Sequence, residues 1–224
     1  MAELSLSTDN APSLLRTLLS LFSLGQLGAL VDLYQIVKKF WPGSRDMYEI
    51  LEYESTLELH DEKGENATLH KRLRVKFLQN NVIAFEDYVW GDGEILADYQ
   101  ISPGVVADRY QEGDRWNLLI SLRETKNKGD VSEFHIQRTA KHGFTNEDEW
   151  NQTEIRRPTR HLQMNIIFPK SRRCQHAVMK QRRHNRTLVL GVDHFYDLPD
   201  GRQLLRWESN KVYPYDVVTI KWRW

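Results

Sequence analysis

The chain has 224 residues and balances 31 Lys and Arg against 31 Asp and Glu, so bulk charge makes it neither a polyanion-coating protein nor an acidic tail. A hydrophobic content of 40% with 11% aromatics excludes intrinsic disorder, and the length suits one all-β domain with a sizeable core, alone or with a helical appendage. Cys174 is the single cysteine, which excludes an intrachain disulfide framework and a Cys-rich zinc site and fits a reducing, cytoplasmic compartment.

The first predicted element is helical and ends near Pro42-Gly43. Residues 1–10 hold Glu3 and Asp9 and no base, a poor secretory signal. Thr8, Asp9 and Asn10 offer caps ahead of Pro12, which a first helical turn tolerates. Leu14, Leu15, Leu18, Leu19 and Phe22 recur at helical spacing, as do Leu30, Leu33, Tyr34, Val37 and Trp41. Gly25 and Gly28 weaken the middle, which gives two short helices or one bent one, and Lys38 and Lys39 suit a C-terminal turn. The longest uncharged run here, residues 17–31, is 15 residues, whereas a membrane span needs about 20, so no transmembrane helix is expected. The Leu/Phe stripe suits packing on the sheet domain, a protein partner or self-association. It also suits a membrane interface, as in a peripheral membrane effector, but the polar face carries only Arg16 before Lys38, and interfacial helices are rich in bases.

From residue 44 the period changes to two. Glu52, Glu54, Glu58 and His60 alternate with Tyr53, Ser55, Leu57 and Leu59, and after the turn 61–65, Leu69, Leu73, Val75 and Phe77 alternate with His70, Arg72, Arg74 and Lys76. Folding about Lys63-Gly64 predicts an antiparallel hairpin with Glu54 opposite Arg74, Glu52 opposite Lys76, Tyr53 against Val75 and Leu51 against Phe77. Strands over 82–90 and 94–101 flank Gly91-Asp92-Gly93. Further alternations cover 116–122, 131–138, 162–168, 195–198, 203–208 and 218–224, separated by Gly, Asp and Asn turns. This pattern predicts a mainly β fold: an antiparallel β-sandwich or open barrel over residues 44–224, preceded by the N-terminal helical segment 1–43.

Catalytic signatures are weak. The eight His residues show no zincin spacing. Cys174 and His176 are sequence neighbours, whereas a catalytic base normally comes from elsewhere in a fold. Asp87, Asp92, Glu94 and Asp98 gather around the 91–93 turn, and read either as an acidic hairpin tip or as the carboxylates of a hydrolase or transferase cleft. There is no phosphate-binding loop and no dinucleotide fingerprint, and no cofactor is expected.

Residues 155–192 stand apart. They contain ten Lys and Arg, three His and no Asp or Glu, which leaves 21 bases and 31 acids for the rest of the chain. The bases are Arg156, Arg157, Arg160, Lys170, Arg172, Arg173, Lys180, Arg182, Arg183 and Arg186. They either neutralise the acidic remainder within the fold or bind an anionic ligand, a nucleotide, nucleic acid or phospholipid headgroup. The candidate ligand-binding set is Arg156, Arg157, Arg160, Lys170, Arg172, Arg173, Arg182 and Arg183, because guanidinium groups grip phosphate bidentately. Phe168 is the only aromatic residue in the block and its alternation suggests core placement, which argues against a stacking groove for single strands. The whole points to a non-enzymatic binding or interaction module with a basic surface. The layout resembles, at the level of fold alone, ligand-sensing or accessory modules of prokaryotic multi-component systems.

Overall fold

The structure, a computed structural model, describes residues 46–224 with the exception of Asp92. The expected helical segment 1–43 lies outside the described residues. In chain order the strands are β1 (Tyr48–Leu59), β2 (Asn66–Phe77), β3 (Val82–Trp90), β4 (Glu94–Ser102), β5 (Val105–Glu112), β6 (Arg115–Lys126) and β7 (Val131–Lys141). They continue as β8 (Asp148–Ile155), β9 (Leu162–Phe168), β10 (His176–Gln181), β11 (Arg186–Val189), β12 (Phe195–Asp197), β13 (Gln203–Ser209) and β14 (Asp216–Arg223). A 3-10 turn, Val192–His194, precedes β12.

The strands form three sheets: seven strands in the order β12-β13-β9-β1-β2-β7-β4, four in the order β11-β10-β14-β8, and three in the order β3-β6-β5. The fold is thus nearly all β and rich in antiparallel pairs, and its large sheet is open, ending at β12 and β4 rather than closing into a barrel. One ladder departs from the antiparallel expectation: β9 runs parallel to β1, from Tyr53↔Leu162 to Glu58↔Ile167. Parallel neighbours need a long crossover, and the chain between β1 and β9 supplies one by building seven other strands first.

One face of the seven-stranded sheet carries two cores. Strand β2 shows this directly. Ala67 and Leu69 belong to a core with Leu57, Met164, Ile166, Leu205, Met179, Ile220 and Trp222, between the large sheet and the four-stranded one. Leu73, Val75 and Phe77, on the same face of β2, belong to a second core with Phe85, Val89, Leu118, Ile120, Phe134 and Ile136, against the three-stranded sheet. The large sheet is therefore one continuous layer, and the two smaller sheets share the covering of one of its faces.

The β1–β2 hairpin forms, but its register is displaced by two residues from the expected one. Glu52 faces Arg74, Glu54 faces Arg72, Tyr53 faces Leu73 and Leu57 faces Leu69. The loop sets this. The Asp61 carboxylate accepts backbone N–H bonds from Lys63 at 3.0 Å, Glu65 at 3.0 Å and Asn66 at 2.8 Å, and the His60 N–H donates to the Asn66 carbonyl at 3.0 Å. Burial pushes the Asp61 carboxyl up, but these donors more than offset it and hold it below the usual carboxylate range. Gly64 turns the loop at φ 69°, and a Cβ there would lie 1.8 Å from the Phe144 carbonyl oxygen, so only glycine fits. Because the displacement is even, each residue keeps its face. Leu51, expected against Phe77, is instead the extra residue of a bulge between Ile50↔Val75 and Glu52↔Arg74. Before the bulge Tyr48 and Ile50 point inward; after it Ser55, Leu57 and Leu59 do. Without the bulge, Glu52 and Glu54 would face the core.

A second correction concerns residues 91–93. They do not cap a hairpin: β3 pairs with β6, whereas β4 pairs with β7 in the large sheet. The chain changes sheets there. Strands β5, β8, β10 and β11 carry no clean alternation of apolar and polar residues and were not anticipated.

Candidate functional site

The two smaller sheets meet along a polar seam. Lys71 sits on the inward face of β2, between a leucine of each core, and donates to Asp87 Oδ1 on β3 at 2.8 Å, with both side chains only 8% exposed. The Tyr99 hydroxyl on β4 donates to the other Asp87 oxygen at 2.9 Å. Burial alone would depress the Lys71 ammonium; the Asp87 carboxylate more than compensates and holds its pKa above the ordinary value. Burial and the Asp87 charge push the Tyr99 phenol far up, so it acts as a donor and stays neutral. Nearby, the Tyr88 hydroxyl donates to the Glu154 carbonyl, and Arg115 pairs with the Glu154 carboxylate at 2.8 Å, which ties β3 and β6 to β8 by side chains where no backbone ladder exists. A cavity of about 60 Å³ lies here, lined by Tyr53, Ser55, Lys71, Tyr88 and Gln152 among others. That is room for about two waters. A charged lysine locked to a carboxylate is neither a base nor a nucleophile. The seam is a strut between sheets.

The acidic group expected near 91–93 does not converge. Asp87 turns inward to Lys71, whereas Glu94 and Asp98 are exposed and Asp92 lies outside the described residues. No group of three or more His, Cys, Asp or Glu among the described residues is placed to hold a metal ion. His60 bonds Thr68 at 2.8 Å, His161 bonds Asn210 at 2.7 Å, and His194 bonds the Arg206 carbonyl at 3.0 Å. The Cys174 thiol donates to the backbone carbonyl of His176 at 3.4 Å, and burial pushes its pKa up to about 12. It is a thiol, not a thiolate, at neutral pH.

The bases of 155–192 divide into two groups. Several are neutralised internally. Arg156 pairs with Glu154 at 3.3 Å and stacks over Tyr88 at 4.1 Å. Arg157 pairs with Asp46 at 3.3 Å, Arg160 grips both oxygens of Glu49 at 3.1 and 2.8 Å, and Arg173 pairs with Asp197. Arg172 lies over the Trp224 ring at 4.2 Å and donates to the Glu62 carbonyl at 2.9 Å. Lys170 lays its aliphatic stem against Gly201. The second group, Lys180, Arg182, Arg183 and Arg186, sits at the tip of the β10–β11 hairpin, exposed and with no carboxylate partner among the described residues. Arg172 and Arg173 precede β10, whereas Arg182 and Arg183 follow it. The six residues of that strand separate the two arginine pairs by about 20 Å. The eight candidate residues therefore do not make one contiguous surface.

The hairpin tip has a neighbour that the sequence kept distant. The loop after β13 brings Lys211, Tyr213 and Tyr215 beside it. The His184 ring meets Tyr213 edge-on at 5.0 Å, the Arg183 guanidinium lies 5.4 Å from the same ring, and Arg183 donates to the Pro214 carbonyl at 3.0 Å. The sequence signal was a segment, 209–215, that holds a base and two tyrosines and no acid, but it is too short to stand out alone.

No protein-family model and no curated protein sequence matches this chain. Solved structures of related shape include the M1 zinc metallopeptidase from Deinococcus radiodurans, at 10% identity and a TM-score of 0.45, over 77% of this chain and 42% of that one. They also include a glutamate-to-alanine mutant of that enzyme bound to a Tyr-Ser-Ala substrate, at 10% identity and a TM-score of 0.47, over 80% of this chain and 44% of that one. This chain spans less than half the length of those structures.

Proposed function

We propose that the protein is a non-enzymatic binding module that takes an anionic partner on the tip of the β10–β11 hairpin. One observation carries this reading: exposed Lys180, Arg182, Arg183 and Arg186 stand together without a carboxylate partner among the described residues, whereas Arg156, Arg157, Arg160 and Arg173 of the same basic block each pair with a carboxylate. Unpaired bases kept at one place concentrate positive potential and attract phosphate or sulfate groups. Arg156, Arg157, Arg160 and Arg173 serve the fold, and Lys170 and Arg172 border it. The N-terminal segment 1–43 is assigned, on its Leu/Phe stripe, to a protein partner or a second copy of the chain. The single thiol, Cys174, accords with a cytoplasmic setting.

The test is a titration of heparin and inorganic polyphosphate at low and moderate salt. Affinity should fall steeply with salt as counterions are released. Arg182→Glu with Arg183→Glu should reduce affinity at least about tenfold and flatten the salt slope, because two phosphate contacts are replaced by repulsion. The same change at Arg160 and Arg173 should lower stability and leave binding intact. Absence of binding to both polyanions rejects the proposal.

A further inference from the structure

The basic hairpin is built together with aromatic rings. Residues 176–192 and 209–215 contain no Asp or Glu, and Asp216, which follows the second segment, is fully buried. Its carboxylate accepts from the Gln181 side-chain amide at 2.6 Å, the Arg183 backbone N–H at 2.9 Å and the Val217 N–H at 2.8 Å. One interior acid clamps the hairpin tip to the loop, and the side chains exposed at that tip, from Lys180 to Arg186 and at Lys211, Tyr213 and Tyr215, are basic, aromatic or neutral polar. Tyr215 is 82% exposed at φ 65°, a left-handed conformation that a bulky side chain adopts only when its surroundings impose it. Two backbone bonds impose it here: the Tyr215 N–H donates to the Ile155 carbonyl, and the Asp216 N–H donates to the Tyr213 carbonyl at 3.1 Å. Tyr213 is 42% exposed beside His184 and Arg183.

Bare polyanions use the bases and ignore the rings. A lipid surface uses the bases and also calls for aliphatic side chains that enter the acyl region. None is exposed at the hairpin tip: Val212, the one aliphatic residue of the 209–215 loop, is buried, and the exposed Val189 and Val192 lie at and beyond the opposite end of β11 from Arg186. A duplex satisfies the bases but hides its base faces. A chain of unpaired nucleotides alone offers both chemistries in alternation, phosphates for Lys and Arg and planar bases for Tyr and His. We infer that this surface docks single-stranded nucleic acid, with Tyr213 and Tyr215 stacked on bases and Arg182, Arg183, Arg186 and Lys211 on phosphates. The inference rests on the anion-binding reading above and adds the class of ligand.

The full-length chain and its Tyr213→Ala/Tyr215→Ala variant are compared by fluorescence anisotropy with a labelled oligothymidylate of about 12 nucleotides, a duplex of equal length, a heparin fragment, and vesicles of phosphatidylserine and phosphatidylcholine. Loss of a stacked base corresponds to about 5- to 150-fold in affinity. The variant should lose at least about tenfold for the oligonucleotide, with an unchanged salt slope and unchanged heparin binding. Tyr→Phe at both positions should restore it, since phenylalanine stacks equally. Equal affinity of wild type and variant for the oligonucleotide, or parallel losses for oligonucleotide and heparin, overturns the stacking inference and leaves anion binding standing. Tighter binding to vesicles than to the oligonucleotide also overturns it. Binding to nothing anionic overturns both.

Discussion

Lys71 occupies a position on β2 that alternation reserves for an apolar side chain, between Leu69 and Leu73. Its charge is compensated by Asp87 at 2.8 Å and its partner is completed by Tyr99. Removing one member of a buried pair leaves the other charge unsatisfied, which costs about 3–5 kcal/mol, whereas replacing both with apolar groups is often nearly neutral. Lys71→Met should therefore lower the urea midpoint severely, and Lys71→Met combined with Asp87→Leu should recover most of the loss. A single variant as stable as wild type would show that Tyr99 and water, not Lys71, satisfy the Asp87 carboxylate. The sign of the shift agrees: a lysine whose pKa is raised in the fold contributes stability that is complete below its unfolded value and is lost as pH rises through the folded one.

At the scale of the element, the β1–β2 hairpin separates its two faces by energy. On the outer face, Arg74 bonds Glu52 at 3.0 Å with side chains 49% and 34% exposed, a pairing worth about 0.2–1 kcal/mol. The Arg74 and Arg72 hydrogen bonds hold the Glu52 carboxyl below its ordinary value, so its contribution is present above the usual carboxylate range and is lost as pH falls through the lowered value. Arg72 also reaches Glu52, at 3.0 Å, and keeps it partnered if Arg74 is changed. On the inner face Leu57 is 2% exposed opposite Leu69. Arg74→Glu should cost about 1 kcal/mol, and Leu57→Asp should cost several times more, because it strands a charge in the core. Matching urea midpoints for the two variants would contradict the assignment of faces.

At the scale of the molecule, both cores draw on residues within 46–224, joined by one continuous sheet. A chain beginning at residue 44 should therefore keep a single cooperative thermal transition by circular dichroism, while light scattering should report a smaller assembly; loss of cooperativity would place the N-terminal segment within the core. Much of this architecture was legible beforehand, because alternation is a local property. Residues two apart share a face, so the strand over 162–168 and the faces of the first hairpin can be read without knowing any neighbour. Register was not legible, since the Asp61-centred loop, rather than the mere position of Lys63-Gly64, sets which residues pair, and the bulge at Leu51 reverses parity where alternation alone would bury two glutamates. Nor was the sorting of strands into three sheets, because an apolar face does not say which other face covers it. The basic block was visible as composition, yet composition is blind to partners. Only the tertiary structure decided that Arg156, Arg157, Arg160 and Arg173 meet carboxylates brought from outside the block, while Arg183 meets Tyr213 and its loop across the buried Asp216, about thirty residues away in the chain and adjacent in space. Charge is written along the chain, but neutralisation depends on distance through space.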